Sequence, residues 1–204
     1  TFYVTEEPKL VVKGRISGST VFELIPTQVF RDPTAWFHLY IAVDTTQGTA
    51  SNRGKIYING SESSETTNIS NGVLTLESGD PAFIGKRFSG SNYFPGDIDE
   101  VSIWNEALTA NEIAALYNSG DPLASSSNSG NYTSSANLKA YWRHNENTGS
   151  VVYDLSGNGN NGIVTGATLV ADRFGKANSA YEFAGSPDYV KVPQNESLEI
   201  KNIL

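Results

Sequence analysis

The segment 154–162 concentrates oxygen-bearing side chains among glycines. Its candidate ligands are Asp154, Ser156, Asn158 and Asn160. Carboxylate, hydroxyl and amide oxygens are the ligands that a hard cation such as Ca²⁺ takes, and glycines let the chain fold back around an ion. The same residue types also form Asx turns, in which the side chains bond their own backbone. The spacing therefore indicates either a calcium site or a self-satisfied turn, and the sequence leaves both interpretations open.

Aromatic residues in polar loops are a second kind of candidate. Tyr93, Phe94 and Tyr132 stand in stretches rich in Gly, Ser and Asn. An exposed ring in such a loop can stack on a sugar ring, so these three are candidate ligand-binding residues. Single exposed aromatics also occur without any function. The tryptophans stand in apolar contexts typical of strands, which favours a place in the core.

The composition limits the classes of function. The chain has 204 residues, no cysteine and a formal net charge of −8. Disulfides and thiolate chemistry are therefore excluded, and so large an acidic excess disfavours a nucleic-acid partner. No apolar run reaches the roughly 18 residues of a membrane span, so we expect no membrane insertion. The absence of a leader segment and of any methionine leads us to expect a mature product or an excised piece.

Apolar and β-branched runs predict strands along most of the first 105 residues. A central strand is expected at 36–43, and Asn59-Gly60 is a strong turn dipeptide after the strand 55–58. The other predicted strands are 2–4, 10–13, 20–25, 73–76, 82–85 and 96–104. Thr109 and Glu112 form a capping box for one short helix near 109–117.

The segment from Gly96 to Ile113 contains Gly-x-Ile-Asp-Glu-Val-x-Ile-x-Asn-x-x-Leu-Thr-x-x-Glu-Ile. This motif resembles the end of laminin-G-like, concanavalin A-like jelly-roll domains. The segments 36–44 and 55–60 resemble the central strands of the same family, and the run 31–60 is similar to repeats of bacteriophage tail and fibre proteins. The resemblance implies an all-β, two-sheet antiparallel jelly-roll sandwich.

The C-terminal third resembles the beginning of the same family, through 138–162 and 181–193. The end of a domain would thus come first and its beginning last. We therefore divide the chain into a portion 1–118, a flexible Ser/Gly/Asn-rich linker 119–136 and a portion 137–204 that completes the same jelly roll. The two portions could complete the jelly roll within one chain or between neighbouring chains. The chain could also be a slice through a tandem array, with two halves that each lack their complement.

Completion of one sandwich has a specific consequence for neighbouring strands. The strand at 138–141 should lie beside the strand at 99–104, and Asp154 should approach Asp99. The resemblance implies that the loop beginning at Asp154 and the acidic strand lie close together and share a calcium ion, which adds Asp99 to the expected metal ligands.

The family also contains glycoside hydrolases, whose acidic strand resembles Glu-x-Asp-x-x-Glu. Asp97 and Asp99 would lie on one face of a strand about 6.5–7 Å apart, near the carboxylate separation of glycosidases. The third carboxylate is missing, because position 102 is Ser102. We therefore expect no catalytic residues and no enzyme, with a glycoside hydrolase as the minor alternative.

The sequence thus predicts a non-enzymatic binding or adhesion module at an extracellular or virion surface. Its expected partner is a glycan or a surface protein, with calcium as the expected cofactor. The alternative is a structural assembly unit, in which successive chains complete one another head to tail in a fibre or filament.

Overall fold

The computed structural model describes residues 2–4, 10–16, 19–32, 34–67, 69, 80–87 and 92–199. These residues form two compact units, the first within Thr1–Thr75 and Glu106–Asn137, the second within Leu76–Asn105 and Leu138–Ile200. Both units are built of antiparallel sheets, and one short α-helix accompanies them. The predicted all-β fold with one helix is confirmed. The predicted strand at 73–76 lies outside the described residues.

The first unit has two sheets, with strand orders β1-β2-β3-β7 and β4-β5-β6. Its elements are β1 (Phe2–Val4), β2 (Leu10–Ile16), β3 (Ser19–Pro26), β4 (Leu39–Val43), β5 (Gly54–Ile58), β6 (Ser61–Glu62), β7 (Ser64–Thr67) and α1 (Ala110–Tyr117), with 3₁₀ turns at Ala50–Asn52, Asn118–Gly120 and Ser135–Asn137. The turn between β5 and β6 is the predicted Asn59-Gly60 pair, and both residues have positive φ, as a tight hairpin requires.

The core of the first unit consists of aliphatic side chains from β2, β3 and β5. Leu24 and Ile56 are fully buried at its centre, and Leu10, Val12, Ile58 and Ile69 surround them. Gly54 opens β5 beside this cluster, where a Cβ would overlap the side chain of Ile69. Leu10 and Val12 share one face of β2, and Ile56 and Ile58 share one face of β5, so the cluster packs between these faces.

Helix α1 begins at the predicted capping box. Thr109 Oγ1 accepts the backbone N–H of Glu112 at 3.3 Å, and the Glu112 carboxylate accepts the backbone N–H of Thr109 at 3.1 Å. Ile113 and Leu116 are buried, and Asn118 ends the helix in the left-handed conformation. Among the described residues, no helix is long and apolar enough to span a membrane.

The segment 119–136, predicted to be a flexible linker, makes specific packing and hydrogen-bond contacts in the structure. The ring of Tyr132 is 0% exposed, and its hydroxyl donates to the carbonyl of Ser125 at 2.7 Å. The Glu112 carboxylate accepts three further hydrogen bonds from this segment, namely from the backbone N–H and hydroxyl of Thr133 and from the hydroxyl of Ser134. One buried carboxylate thus joins the start of α1 to the supposed linker.

The second unit has three sheets, with strand orders β10-β11, β12-β13-β16-β8 and β14-β15-β9. Its elements are β8 (Ala82–Ile84), β9 (Pro95–Ile98), β10 (Val101–Trp104), β11 (Leu138–Trp142), β12 (Val151–Val152), β13 (Gly162–Thr165), β14 (Thr168–Val170), β15 (Ala180–Ala184) and β16 (Tyr189–Val192), with a 3₁₀ turn at Glu196–Leu198. The core residues are Ala140, Trp142, Val152, Tyr181, Phe183, Val190 and Val192.

Strands from before and after the segment 119–136 pair directly in this unit. β10 lies antiparallel to β11, with Val101 opposite Trp142 and Ser102 opposite Tyr141. This confirms the predicted neighbourhood of the strands at 99–104 and 138–141. β9 pairs with β15 and β8 pairs with β16 in the same way. The second unit therefore draws on both predicted portions, while completion of a single jelly roll by 1–118 and 137–204 stays a prediction.

Replacing the shared carboxylate should destabilise the protein in a pH-dependent way. Burial alone would raise the pKa of Glu112, but hydrogen bonds from Ser134, Thr109 and Thr133 outweigh it and hold the pKa at about 2. The stabilisation is then complete above the unfolded pKa of 4.5 and is lost as the pH falls towards 2. We expect Glu112→Gln to lower the free energy of unfolding by about 2–3 kcal/mol at pH 7 and by less at pH 3.

Denaturant unfolding at the two pH values measures this difference. Asp121→Asn is the matched control, because Asp121 is exposed in the same unit. An equal loss at pH 7 and pH 3, or no loss at either, would show that the carboxylate does not hold the segment.

Candidate functional site

The oxygen-rich loop at 154–162 is closed by its own hydrogen bonds. Asp154 Oδ1 accepts the backbone N–H groups of Tyr141 and Ser156 at 3.0 and 2.9 Å. Its Oδ2 accepts the hydroxyl of Ser156 and the backbone N–H of Asn160, both at 2.9 Å. Four donors occupy the lone pairs of this carboxylate. Asp154 therefore anchors an Asx turn against β11.

Two of the three amide side chains of the loop direct their nitrogens at the same strand. Asn158 Nδ2 donates to the carbonyls of Leu138 and Lys139 at 3.1 and 3.2 Å. Asn160 Nδ2 donates to the carbonyl of Lys139 at 2.7 Å. Asn160 is buried, and its backbone carbonyl accepts the indole N–H of Trp142 at 2.7 Å. These amides fasten the loop to β11 by donating hydrogen bonds.

Asp99 lies in the connection between β9 and β10, where the chain leaves one sheet for another. Its Oδ2 is 3.4 Å from Nη1 of Arg173, and its Oδ1 has no hydrogen-bond partner among the described residues. Burial raises the pKa of Asp99 to about 7, with Glu100 and Asp172 adding to the rise and Arg173 opposing it. The cation that faces this carboxylate is thus an arginine of the same unit.

The expected calcium ligands can be tested against this geometry. Asp154 and Asp99 have separate partners, the first in the 141–160 backbone and the second in Arg173. Among the described parts of the chain, no three His, Cys, Asp or Glu residues form a group that could hold a metal ion. Ca²⁺ takes about six to eight oxygen ligands, including amide, hydroxyl and backbone carbonyl oxygens, so the calcium site stays a prediction. The hydrogen bonds of the self-satisfied turn, the other interpretation of this loop, are present.

The positions considered for glycosidase chemistry, Asp97 and Ser102, lie on strands and have defined cross-strand partners. Asp97 is exposed on β9 and stands opposite Glu182 on β15. Burial and the charge of Glu182 raise the pKa of Asp97. Ser102, at the position of the missing carboxylate, stands opposite Tyr141. The expectation that the chain is not an enzyme stays a prediction.

A different set of residues meets on the sheet β12-β13-β16-β8. Val190 and Val192 of β16 are buried in the core, so Tyr189 and Lys191 lie on the opposite side of the sheet. The register extends this side across all strands, because Lys191 stands between Ile163 and Phe83, and Ile163 stands opposite Val151. Ile163 is 53% exposed. We call this side the outer face, and it comprises Val151, Ile163, Lys191, Tyr189, Phe83 and the adjoining Lys86 and Tyr93.

Lys86 lies among the aromatic rings of the outer face. Its Nζ is 4.4 Å from the ring centroid of Phe83, 4.6 Å from that of Tyr189 and 5.9 Å from that of Tyr93. The Phe83 and Tyr189 rings meet edge to face, with centroids 5.6 Å apart. A cation within about 6 Å of a ring is attracted to the negative ring face. The rings therefore fix where the ammonium group lies.

Local backbone geometry places Lys86 and Tyr93. Gly85 follows the end of β8 and has φ 84°, and a Cβ there would overlap the ring of Phe183, so glycine is required for this close approach. Lys86 and Tyr93 then form an antiparallel bridge, and the backbone N–H of Phe94 donates to the Gly85 carbonyl at 2.7 Å. The glycine thus turns the chain so that Lys86 reaches the rings.

The structure separates the three predicted ligand-binding aromatics. Tyr93 joins the outer face, whereas the half-buried Phe94 has its ring close to Gly96. Tyr132 is fully buried, so its assignment as an exposed ligand-binding residue is wrong. The sequence reasoning missed Phe83, Lys86, Tyr189 and Lys191. The available signal was the run Tyr189-Val190-Lys191-Val192, in which valines alternate with a tyrosine and a lysine. This alternation predicts that Tyr189 and Lys191 share the face opposite the core.

The comparison with known families agrees with this fold. The Laminin_G_3 family model, described as the concanavalin A-like lectin/glucanases superfamily, matches residues 1–114. Because the match covers more than half of the chain, the chain belongs to this family. No curated protein and no solved structure matches the sequence. The family description names both lectins and glucanases. Membership therefore establishes the fold and does not establish the activity.

Calcium should have no effect on stability if hydrogen bonds alone close the 154–162 loop. We expect the same melting temperature with added calcium and with chelator. Asp154→Ala should lower the free energy of unfolding by about 2 kcal/mol in both conditions, because backbone donors lose their acceptor. Thermal unfolding followed by circular dichroism measures both effects. A calcium-dependent rise in melting temperature that disappears in Asp154→Ala would contradict this expectation and support the calcium site.

Proposed function

We propose that this chain is a non-enzymatic module that binds glycans through the outer face. The observation that carries the proposal is the position of Lys86 among Phe83, Tyr189 and Tyr93. Aromatic and aliphatic groups supply contacts for the C–H faces of a sugar ring, while a few polar groups fix its orientation. Exposed apolar surface with polar surroundings is the usual mark of an interaction site.

The arrangement of the outer face suits an extended ligand. Val151, Ile163, Lys191 and Phe83 form a row that crosses four strands. Neighbouring strands lie about 4.8 Å apart, so the row spans roughly 14 Å, which accommodates more than one sugar unit. Lysine ammonium groups and the Tyr189 hydroxyl supply hydrogen bonds to sugar hydroxyls. Glycan recognition would occur at an extracellular or virion surface, where such ligands are exposed.

Removing one ring from the outer face should weaken glycan binding. We expect the protein to bind a subset of an immobilised glycan array, and we expect Tyr189→Ala to weaken that binding about tenfold or more. The loss follows from the roughly 1–3 kcal/mol that ring stacking contributes in comparable nucleic-acid sites. Melting curves confirm that the variant is folded.

Phe174→Ala is the matched control, because Phe174 is 61% exposed and precedes β15 in another sheet. It should bind as the wild type does. No binding to any glycan, or an equal loss in the two variants, would contradict the proposal.

A further inference from the structure

The outer face holds two cations that have no ion pair with any carboxylate among the described residues. Ion pairs in the described residues engage Lys13, Lys55, Arg143 and Arg173. Within the same described ranges, neither Lys86 nor Lys191 has an ion pair. The chain contains 22 acidic and 14 basic residues, so carboxylates are in excess. Two uncompensated cations on one face of an acidic protein provide local charge complementarity to an anion.

Lys86 is also positioned before any ligand arrives. Its ammonium lies 4.4 Å and 4.6 Å from two ring centroids, which restricts the side chain to one region of the face. A lysine already held in place loses less conformational freedom on binding, and this favours affinity. The ring contacts leave the ammonium N–H groups as donors towards an anion, and charge-assisted hydrogen bonds are the strong ones.

Lys191 extends the positive charge along the sheet. It stands directly opposite Phe83, the ring that Lys86 contacts most closely, and opposite Ile163 on the other side. Cα atoms of opposite residues in an antiparallel pair are about 4.5–5.5 Å apart. Lys191 therefore lies within the row of aromatic and aliphatic side chains on which a sugar would lie, and Lys86 lies beside the Phe83 end of that row.

We infer that the outer face selects acidic glycans, whose sugar rings carry carboxylate or sulfate groups. The inference rests on the proposed glycan-binding function and adds the class of ligand. Apolar contacts hold the sugar ring, and Lys86 and Lys191 bind its anionic substituents. Such binding weakens as salt rises, because screening acts on exposed charges.

Matched polysaccharides test the inference with the full chain. One pair is polygalacturonate and its fully methyl-esterified form, and the other is dextran sulfate and dextran. We expect at least about tenfold tighter binding to the acidic member of one pair or both, measured by biolayer interferometry. The pair that shows the difference identifies carboxylate or sulfate as the recognised group.

Charge variants locate the effect on the outer face. Lys86→Gln and Lys191→Gln should each reduce the preference for the acidic member over the neutral member by about threefold to tenfold. Lys86→Arg keeps the charge and should retain the preference. Lys176→Gln is the matched control, because Lys176 is an exposed lysine in the turn after Asp172 and lies outside the outer face.

The outcomes distinguish this inference from the proposed function. Equal binding to acidic and neutral members would overturn the acidic preference and leave glycan binding standing. Binding to no glycan in these pairs or on the array would overturn both. An equal loss in Lys176→Gln and Lys86→Gln would show attraction to general positive charge, and would also overturn the inference.

Discussion

The antiparallel pairing of β10 with β11 is the constraint on which the second unit depends. It fixes Val101 opposite Trp142 and places the buried side chains of Ala140 and Trp142 in the core. Loss of a buried aromatic side chain of this size costs about 3–5 kcal/mol. β11 in turn supplies the backbone groups that bind Asp154, Asn158 and Asn160. The conformation of the oxygen-rich loop therefore depends on this strand pair.

A second non-local strand pairing in this unit, β8 with β16, produces the outer face. Phe83 and Lys86 precede the segment 119–136, whereas Tyr189 and Lys191 follow it. Only pairing between strands from the two sides brings these side chains together, through β8 against β16. The site is thus a product of non-local strand pairing, and the cation–ring contacts within it exist only in the folded unit. This explains why no short sequence motif predicted these cation–ring contacts.

The features that were predictable from the sequence depend on short-range geometry or on family motifs. Asn59-Gly60 and the Thr109–Glu112 capping box use residues within one turn, and both are present in the structure. The placement of the acidic strand beside 138–141 followed from the order of family motifs. The packing of the segment 119–136 could not be predicted, because the composition of this segment is typical of linkers. The residues of the segment that bond Glu112 also lie 21 and 22 positions away from it along the chain. The burial of Tyr132 was missed for the same reason.

Engineered cysteines give the most direct test of the central claim, that strands from both sides of the segment 119–136 form one unit within a single chain. The protein has no cysteine, and Asp97 and Glu182 are exposed residues directly opposite each other on β9 and β15. Opposite Cα atoms in an antiparallel pair are about 4.5–5.5 Å apart, within the range that a disulfide requires.

The Asp97→Cys/Glu182→Cys variant should therefore oxidise to a cross-linked monomer, detected by non-reducing electrophoresis and mass spectrometry. The Asp97→Cys/Ala184→Cys variant is displaced by two residues in register and should cross-link poorly. Free thiols in the first variant, equal cross-linking in both, or disulfides between chains in place of within them would contradict the account.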